Sequence, residues 1–380
     1  MSIVQGSNGR SQPVVFSAYP VGYGPAAKAL VLAADCRRRG VETVFVGDGV
    51  AYELVSRSSG VFDRVVHAGA AERTAQDVVA GAAVVVSVMD REFASLASDQ
   101  GRPLHVVDSL LWMRSVVPES FLQARSYWAQ DFVGVRDRAS ELTRPPTVVG
   151  PILDARRPRK HAQAVPKKLV VNLGGFAASD GADSLYGELV LRALTASRLY
   201  GAFPRERRIL ANAATIRQLA PLAAELGVQL TSLARDSALD ELATASLVLT
   251  SPGLTTTLES FRFGRPTAFL PPQNFSQWCA LKALRAHGLA PHALHWEDLG
   301  DSDRLGNATR EPEVSTARVR ATIARLAAAS PAREALVDSL SSCATIDWPM
   351  MAARQQDFFR LLGPNGAPVI AAALVAELGA

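Results

Sequence analysis

The sequence is poor in cysteine, histidine and aromatic residues, and it has no long hydrophobic run. The three cysteines, Cys36, Cys279 and Cys343, are far apart and lack Cys-x-x-Cys spacing. Neither a disulfide framework nor a zinc site follows, and a reducing, cytoplasmic setting is expected. No apolar stretch has the length that spans a bilayer. Residues 1–12 are polar and glycine-rich, without the apolar core of a secretory signal, and read as a disordered start. Basic clustering is scarce too: 40 Lys+Arg against 36 Asp+Glu leave a net charge of +4. The one dense basic run, Arg156, Arg157, Arg159, Lys160, His161, Lys167 and Lys168, is interrupted by prolines and alanines and reads as exposed linker. A nucleic-acid partner is therefore not expected.

What is present is an ordinary globular balance, 48% hydrophobic and 20% charged over 380 residues, enough for two domains. An apolar run at 14–18 leads into the glycine loop Tyr19-Pro-Val-Gly22-Tyr23-Gly24-Pro25. A helical pattern over 26–39 follows, closed by Gly40, and then a strand over 41–47, which together make a βαβ unit. Further strands are expected at 61–67, 82–88 and 103–107, with weaker ones at 132–135 and 147–149. Near-continuous valine runs predict a parallel sheet covered on both faces. Pro145, Pro146, Gly150 and Pro151 mark a boundary, after which strands recur at 168–173, 207–210, 228–230, 246–249 and 266–270, with a helix over 182–196. The resulting division is 13–150, a linker at 151–167, a second domain at 168–345, and a last helix with an apolar tail at 346–380. No internal repeat is visible.

The most informative stretch follows the expected strand at 246–249. Ser251-Pro252-Gly253 turns into a helix that opens on Thr255 and Thr256 and carries Glu259 about one turn in. Gly264-Arg265-Pro266 feeds the next strand, which stops at Pro271-Pro272 before a polar loop ending at Gln277. A glycine turn into a helix N-terminus offers free N–H groups and a positive dipole end to an anion such as phosphate. An acidic residue on that helix suits a ribose diol, and the following loop lies at the same carboxyl edge of the sheet.

Gly253, Thr255, Thr256, Glu259, Gly264, Pro266, Pro272, Gln277 and Gly288 fall in order on a pattern that resembles the nucleotide-sugar region of GT-B glycosyltransferases. The style is closest to the lipid-II-forming N-acetylglucosaminyltransferase and to the macrolide and flavonoid enzymes. Two positions depart: the family's Asp is Ser276, and its Asn is Ala280. The resemblance implies an α/β GT-B fold, two Rossmann-like domains with parallel sheets facing a central cleft. It implies a UDP-sugar donor held by Gly174, Gly175, Ser251, Gly253, Thr255, Thr256, Glu259, Ser276 and Gln277, inverting transfer without cofactor or metal, and a last helix (348–362) crossing back onto the first domain. Gly174 and Gly175 also read as a plain tight turn. Serine at 276 removes a negative charge that would repel an acidic sugar such as glucuronate.

The family's loop histidine, its general base, aligns near Pro25, and no histidine lies between Val14 and Gly60. Strand ends offer Asp108 and Asp90 instead; Asp108 reads equally as a helix N-cap. His105 lies inside a strand and His67 follows one. The loop Gly22-Tyr23-Gly24 with Lys28, and the run from Val107 to Trp112, resemble the cytosylglucuronate synthases, which join glucuronate from its UDP ester to N1 of cytosine or hydroxymethylcytosine. That resemblance implies a nucleobase acceptor near Trp112 and a counter-ion role for Lys28 or a cleft arginine, although a first-helix lysine also reads as solvated. Two other readings remain open. One is a nucleotide-sugar epimerase or hydrolase; the other is a non-catalytic partner of a second transferase. Against the epimerase, Phe269-Leu-Pro-Pro-Gln-Asn-Phe-Ser276 replaces that family's arginine-rich run.

Overall fold

The computed structural model describes residues 12–58, 60–70, 72–154, 167–174, 182–299, 312–327 and 329–379. Most of the expected disordered start, most of the expected linker with its basic run, and Gly175 lie outside the described residues.

The first half contains β1 (Val14–Ala18), α1 (Tyr23–Arg38), β2 (Thr43–Gly47), α2 (Gly49–Ser56), β3 (Arg64–His67), α3 (Glu72–Ala80), β4 (Val84–Val88), α4 (Arg91–Asp99), β5 (Leu104–Asp108), α5 (Glu119–Leu122), β6 (Ser126–Gln130), α6 (Val135–Ser140) and β7 (Thr147–Val149). Its strands form one parallel sheet in the order β3-β2-β1-β4-β5-β6-β7. The valine runs have their physical reason here. Val14, Phe16, Val84 and Val86 pack with α1 on one face, while Val15 and Val85 pack with Phe93 and Ala97 of α4 on the other.

The second half contains β8 (Lys168–Asn172), α7 (Ala182–Ala196), α8 (Arg198–Ala202), β9 (Glu206–Leu210), α9 (Ala213–Glu225), β10 (Leu230–Thr231), α10 (Arg235–Thr244), β11 (Leu247–Thr250), α11 (Leu254–Arg262), β12 (Thr267–Phe269), α12 (Phe275–Ala286), α13 (Pro312–Ala327), α14 (Ser330–Ser342), α15 (Trp348–Leu361) and α16 (Ala367–Leu378). Its parallel sheet runs β10-β9-β8-β11-β12. Leu169, Val171 and Leu249 face α7, α13 and α14, whereas Val170 and Val248 face α10.

One expectation is corrected, and another gains its detail. The segment 132–135 is not a strand: Gly134, at φ 78°, caps the start of α6, and the strand beside β5 is β6, whose polar ends Ser126 and Gln130 hide it. The helix at 348–361 reaches the first half through Phe358, whose ring meets Phe132 with centroids 6.0 Å apart. It lies on α11 and β12, where buried Gln355 accepts from Thr267 N (2.9 Å) and donates to Thr267 O (2.8 Å) and Leu289 O (2.9 Å). The apolar tail finishes the crossing as α16, packed on α1. There Glu377 meets His105 Nε2 at 2.5 Å, which explains the buried strand histidine.

The turn between α15 and α16 is stitched to the segment joining the halves. Asn365 Nδ2 donates to Leu153 O at 2.6 Å, and its Oδ1 accepts from Leu153 N at 3.3 Å. Gly150 has no room for a side chain, because a Cβ there would overlap the Pro364 carbonyl. Gly150→Ala is expected to push this turn away and lower the melting temperature, at a cost of about 1–3 kcal/mol as for other overpacked sites.

Candidate functional site

In a doubly wound sheet, ligands bind where the strand order reverses, just beyond the carboxyl ends. Those points are β1/β4 in the first half and β8/β11 in the second. One cavity of ≈ 560 Å³ touches both, lined by Tyr19, Gly22, Gly24 and Met89 on one side and by Asn172, Gly174, Thr250 and Ser251 on the other.

Gly22 starts the first wall. It is the N-cap of α1 at φ 81°, ψ 152°, a backbone conformation that strains any residue with a Cβ. α1 thus opens towards α11, and a Cβ built on Gly24 would stand 3.2 Å from Thr255 Oγ1. One turn further along α1, Lys28 Nζ donates to Thr255 Oγ1 at 2.9 Å. Lys28 is 2% exposed, so the reading of it as a solvated surface lysine is corrected. Burial, opposed in part by Glu259, lowers its pKa to about 8. Tyr23 also lines the cavity, and burial pushes its phenol up to about 12, leaving it a neutral donor.

The second wall starts at Gly253, the N-cap of α11, where no side chain caps the helix. The threonine hydroxyls are occupied elsewhere: Thr255 accepts from Lys28, and Thr256 accepts from Asn172 Nδ2 at 3.3 Å. Neither threonine caps the helix, and Gly253, Leu254, Thr255 and Thr256 at its start all line the cavity. Glu259 is 5% exposed and lines the cavity, with Oε1 accepting from Arg235 at 2.8 Å. Gly174, at φ 88°, sends its N–H to Asn172 Oδ1 at 3.1 Å. Ser251 accepts from Gln273 Nε2 at 2.5 Å.

Ser276 and Gln277 line the cavity at the start of α12, which Asn274 caps by accepting from Gln277 N at 2.9 Å. The Ser276 hydroxyl donates to Asn274 Oδ1 at 2.9 Å. Gln277 Oε1 accepts from Gln273 N at 2.9 Å, so its NH₂ end is the one left for a ligand.

The expected bases stand outside this wall. Asp108 is fully buried and accepts from Leu110 N at 2.8 Å, Arg114 Nε at 2.7 Å and Tyr127 OH at 3.0 Å. It is a paired structural carboxylate holding the loop after β5. Asp90 caps α4 by accepting from Phe93 N at 3.1 Å and also accepts from Ser17 Oγ at 2.5 Å, while burial raises its pKa. Neither lines the cavity, because each spends its oxygens on the fold. Trp112 is likewise turned away, its Nε1 on Ser109 O at 3.1 Å and its ring against Phe132. His67 pairs with Asp48 at 3.1 Å, and no histidine is among the residues lining the cavity. Among the described residues no cluster of His, Cys, Asp or Glu could hold a metal ion, and no helix is long and apolar enough to cross a membrane.

Sequence reasoning missed Asn172, Arg235 and Arg320. The first two sit at a strand's carboxyl end and a helix's start, places the switch-point rule singles out, whereas Arg320 on α13 carries no local signal. Among the described residues, the charged ones lining the cavity are Lys28, Arg235 and Arg320 against Glu259, three cations and one carboxylate. Such a surplus suits an anion of about two charges.

No family model and no curated protein matches the sequence. Solved structures do match. The spinosyn rhamnosyltransferase SpnG complexed with thymidine diphosphate superposes at a TM-score of 0.58 and 13% identity, over 95% of this chain and 100% of that one. The fold is GT-B. The glycotransferase of kitacinnamycin shares it at 0.52 and 14%, covering 97% and 100%. UGT2 of Phytolacca americana, complexed with UDP-2fluoro-glucose and pterostilbene, does so at 0.52 and 14%, covering 97% and 100%. At such identities the likeness carries the GT-B architecture and not the chemistry.

Lys28 makes a stability prediction for the unliganded GT-B chain. In the unfolded state the amine keeps its proton to about 10.5, in the folded state only to about 8. The unfolded chain binds more protons between these values, so stability rises with pH from about 8 to 10.5. Lys28→Met is expected to melt higher than the parent at pH 7 and to lose that rise, which thermal melts across the window would show.

Proposed function

We propose that the protein is an inverting, metal-independent glycosyltransferase that moves a sugar from a UDP-sugar to a small acceptor. The observation that carries the reading is the cavity shared by the two switch points, with its cationic surplus and the uncapped start of α11. The diphosphate takes the N–H groups after Gly253, replacing a metal by a helix dipole and fixed donors. The ribose diol takes Glu259, and the uracil takes the apolar side formed by Leu233, Leu239 and Leu242 beside Arg235. The sugar lies against Ser276 and the free NH₂ of Gln277. SpnG with thymidine diphosphate and the Phytolacca americana enzyme with a UDP-sugar analogue support a nucleotide-sugar donor on this fold.

The narrower reading is UDP-glucuronate as donor and cytosine, or hydroxymethylcytosine, as acceptor. A neutral Ser276 on the cavity wall favours a sugar with its own carboxylate, since no negative charge stands there to repel it. A cavity wall without an imidazole favours an acceptor N–H more acidic than a sugar hydroxyl. The missing imidazole equally favours a second reading, a nucleotide-sugar-binding partner that catalyses nothing. Mass detection of UDP release separates these and the epimerase or hydrolase alternatives. Release from UDP-glucuronate only when cytosine is added supports the transferase. Release without acceptor means a hydrolase, interconversion with retained UDP an epimerase, and binding without turnover of any UDP-sugar tried the inert partner.

A further inference from the structure

Lys28 belongs to the N-terminal half, yet its ammonium ends on the C-terminal half. One of its three N–H donors is spent on Thr255. Among the described residues no carboxylate lies within ion-pairing distance of it. The charges that act on it are Glu259 and Asp108, which favour its charged form, and Arg235, which opposes it. Thr255 lies in the first turn of α11, so the ammonium also faces the positive end of that helix. A buried cation set against another positive pole is unfavourable alone, and an anion placed between the two satisfies both.

We propose that Lys28 binds the donor's diphosphate from the N-terminal half, so that donor binding itself latches the two halves together. This rests on the donor reading above and deepens it. It moves Lys28 from the role of counter-ion for an acidic sugar to the diphosphate, since Thr255 lies in the first turn of α11 whereas Ser276, assigned to the sugar, lies in the first turn of α12. It also excludes Lys28 as the acceptor's base, because an ammonium beside two phosphates keeps its proton. Thr255 then acts as a placeholder that holds the side chain in position until the donor arrives.

The test is calorimetric titration of UDP and uridine into the parent protein, Lys28→Met and Lys28→Arg, at pH 8 in two buffers of different ionisation enthalpy. The parent is expected to take up a fraction of a proton on binding UDP, as the phosphates draw Lys28 back to its charged form. Lys28→Met should weaken UDP at least tenfold, abolish the proton uptake and leave uridine affinity unchanged; Lys28→Arg should restore most of the UDP affinity. Equal UDP affinity in the parent and Lys28→Met overturns the latch while leaving the donor reading intact. Failure of UDP to bind the parent at all overturns both.

Discussion

Glu259→Gln is expected to weaken UDP binding about 10- to 100-fold while the protein remains folded. Arg235 occupies one carboxylate oxygen at 2.8 Å, which leaves the other for a ribose diol. Hydrogen bonds to a charged acceptor contribute about 1.5–3 kcal/mol each, and about 1.4 kcal/mol is tenfold in affinity. Glutamine keeps an acceptor for Arg235, so the fold loses less than the ligand does. Arg235 is only 13% exposed, which is why Glu259→Ala would mix the two effects by stranding a buried cation. Titration calorimetry of UDP beside a thermal melt separates them. Unchanged UDP affinity in Glu259→Gln would remove the ribose role and, with it, the placement of the donor.

Asp108→Ala is expected to cost about 3–5 kcal/mol of stability, as when one partner of a buried ion pair is removed. For a domain of this size that lowers the melting temperature by roughly 10 °C. The cause is local: Tyr127 OH, Arg114 Nε and Leu110 N all lose their acceptor at a site with no exposure. Arg114 would keep its contact over the Phe121 ring but lose its hydrogen bond to a carboxylate, the stronger of the two for a cation. A general base would behave in the opposite way. Asp108→Asn would then abolish turnover at an unchanged melting temperature, and that outcome would return Asp108 to the reaction.

The extent to which the site could be read from the chain varied with the range of the interactions involved. The stretch from Ser251 to Gln277 was legible because its turns, helix start and strand are set by neighbours in sequence: glycine and proline at the turns, threonines in the first turn, Asn274 as a cap. Ser276 and Gln277 lie on the cavity wall for the same reason. The carboxylates were harder. Asp90 and Asp108 both end or follow a strand, and nothing local tells a carboxylate that faces a cleft from one satisfied by the fold. Asp108 is closed by Tyr127, on the neighbouring strand β6, which the valine pattern did not reveal.

By itself the sequence determined the two-sheet plan, most strand positions and the order of the donor motif, because hydrophobic period and turn chemistry act over a few residues. Only the tertiary structure decided which charges meet. It brought Lys28 to Thr255 across 227 positions, set Arg235 on Glu259 across 24, and carried the apolar tail back to His105 across 272. Electrostatics and burial depend on distance in space, so a lysine that looks like any surface residue in the chain becomes a buried cation when two helix starts converge.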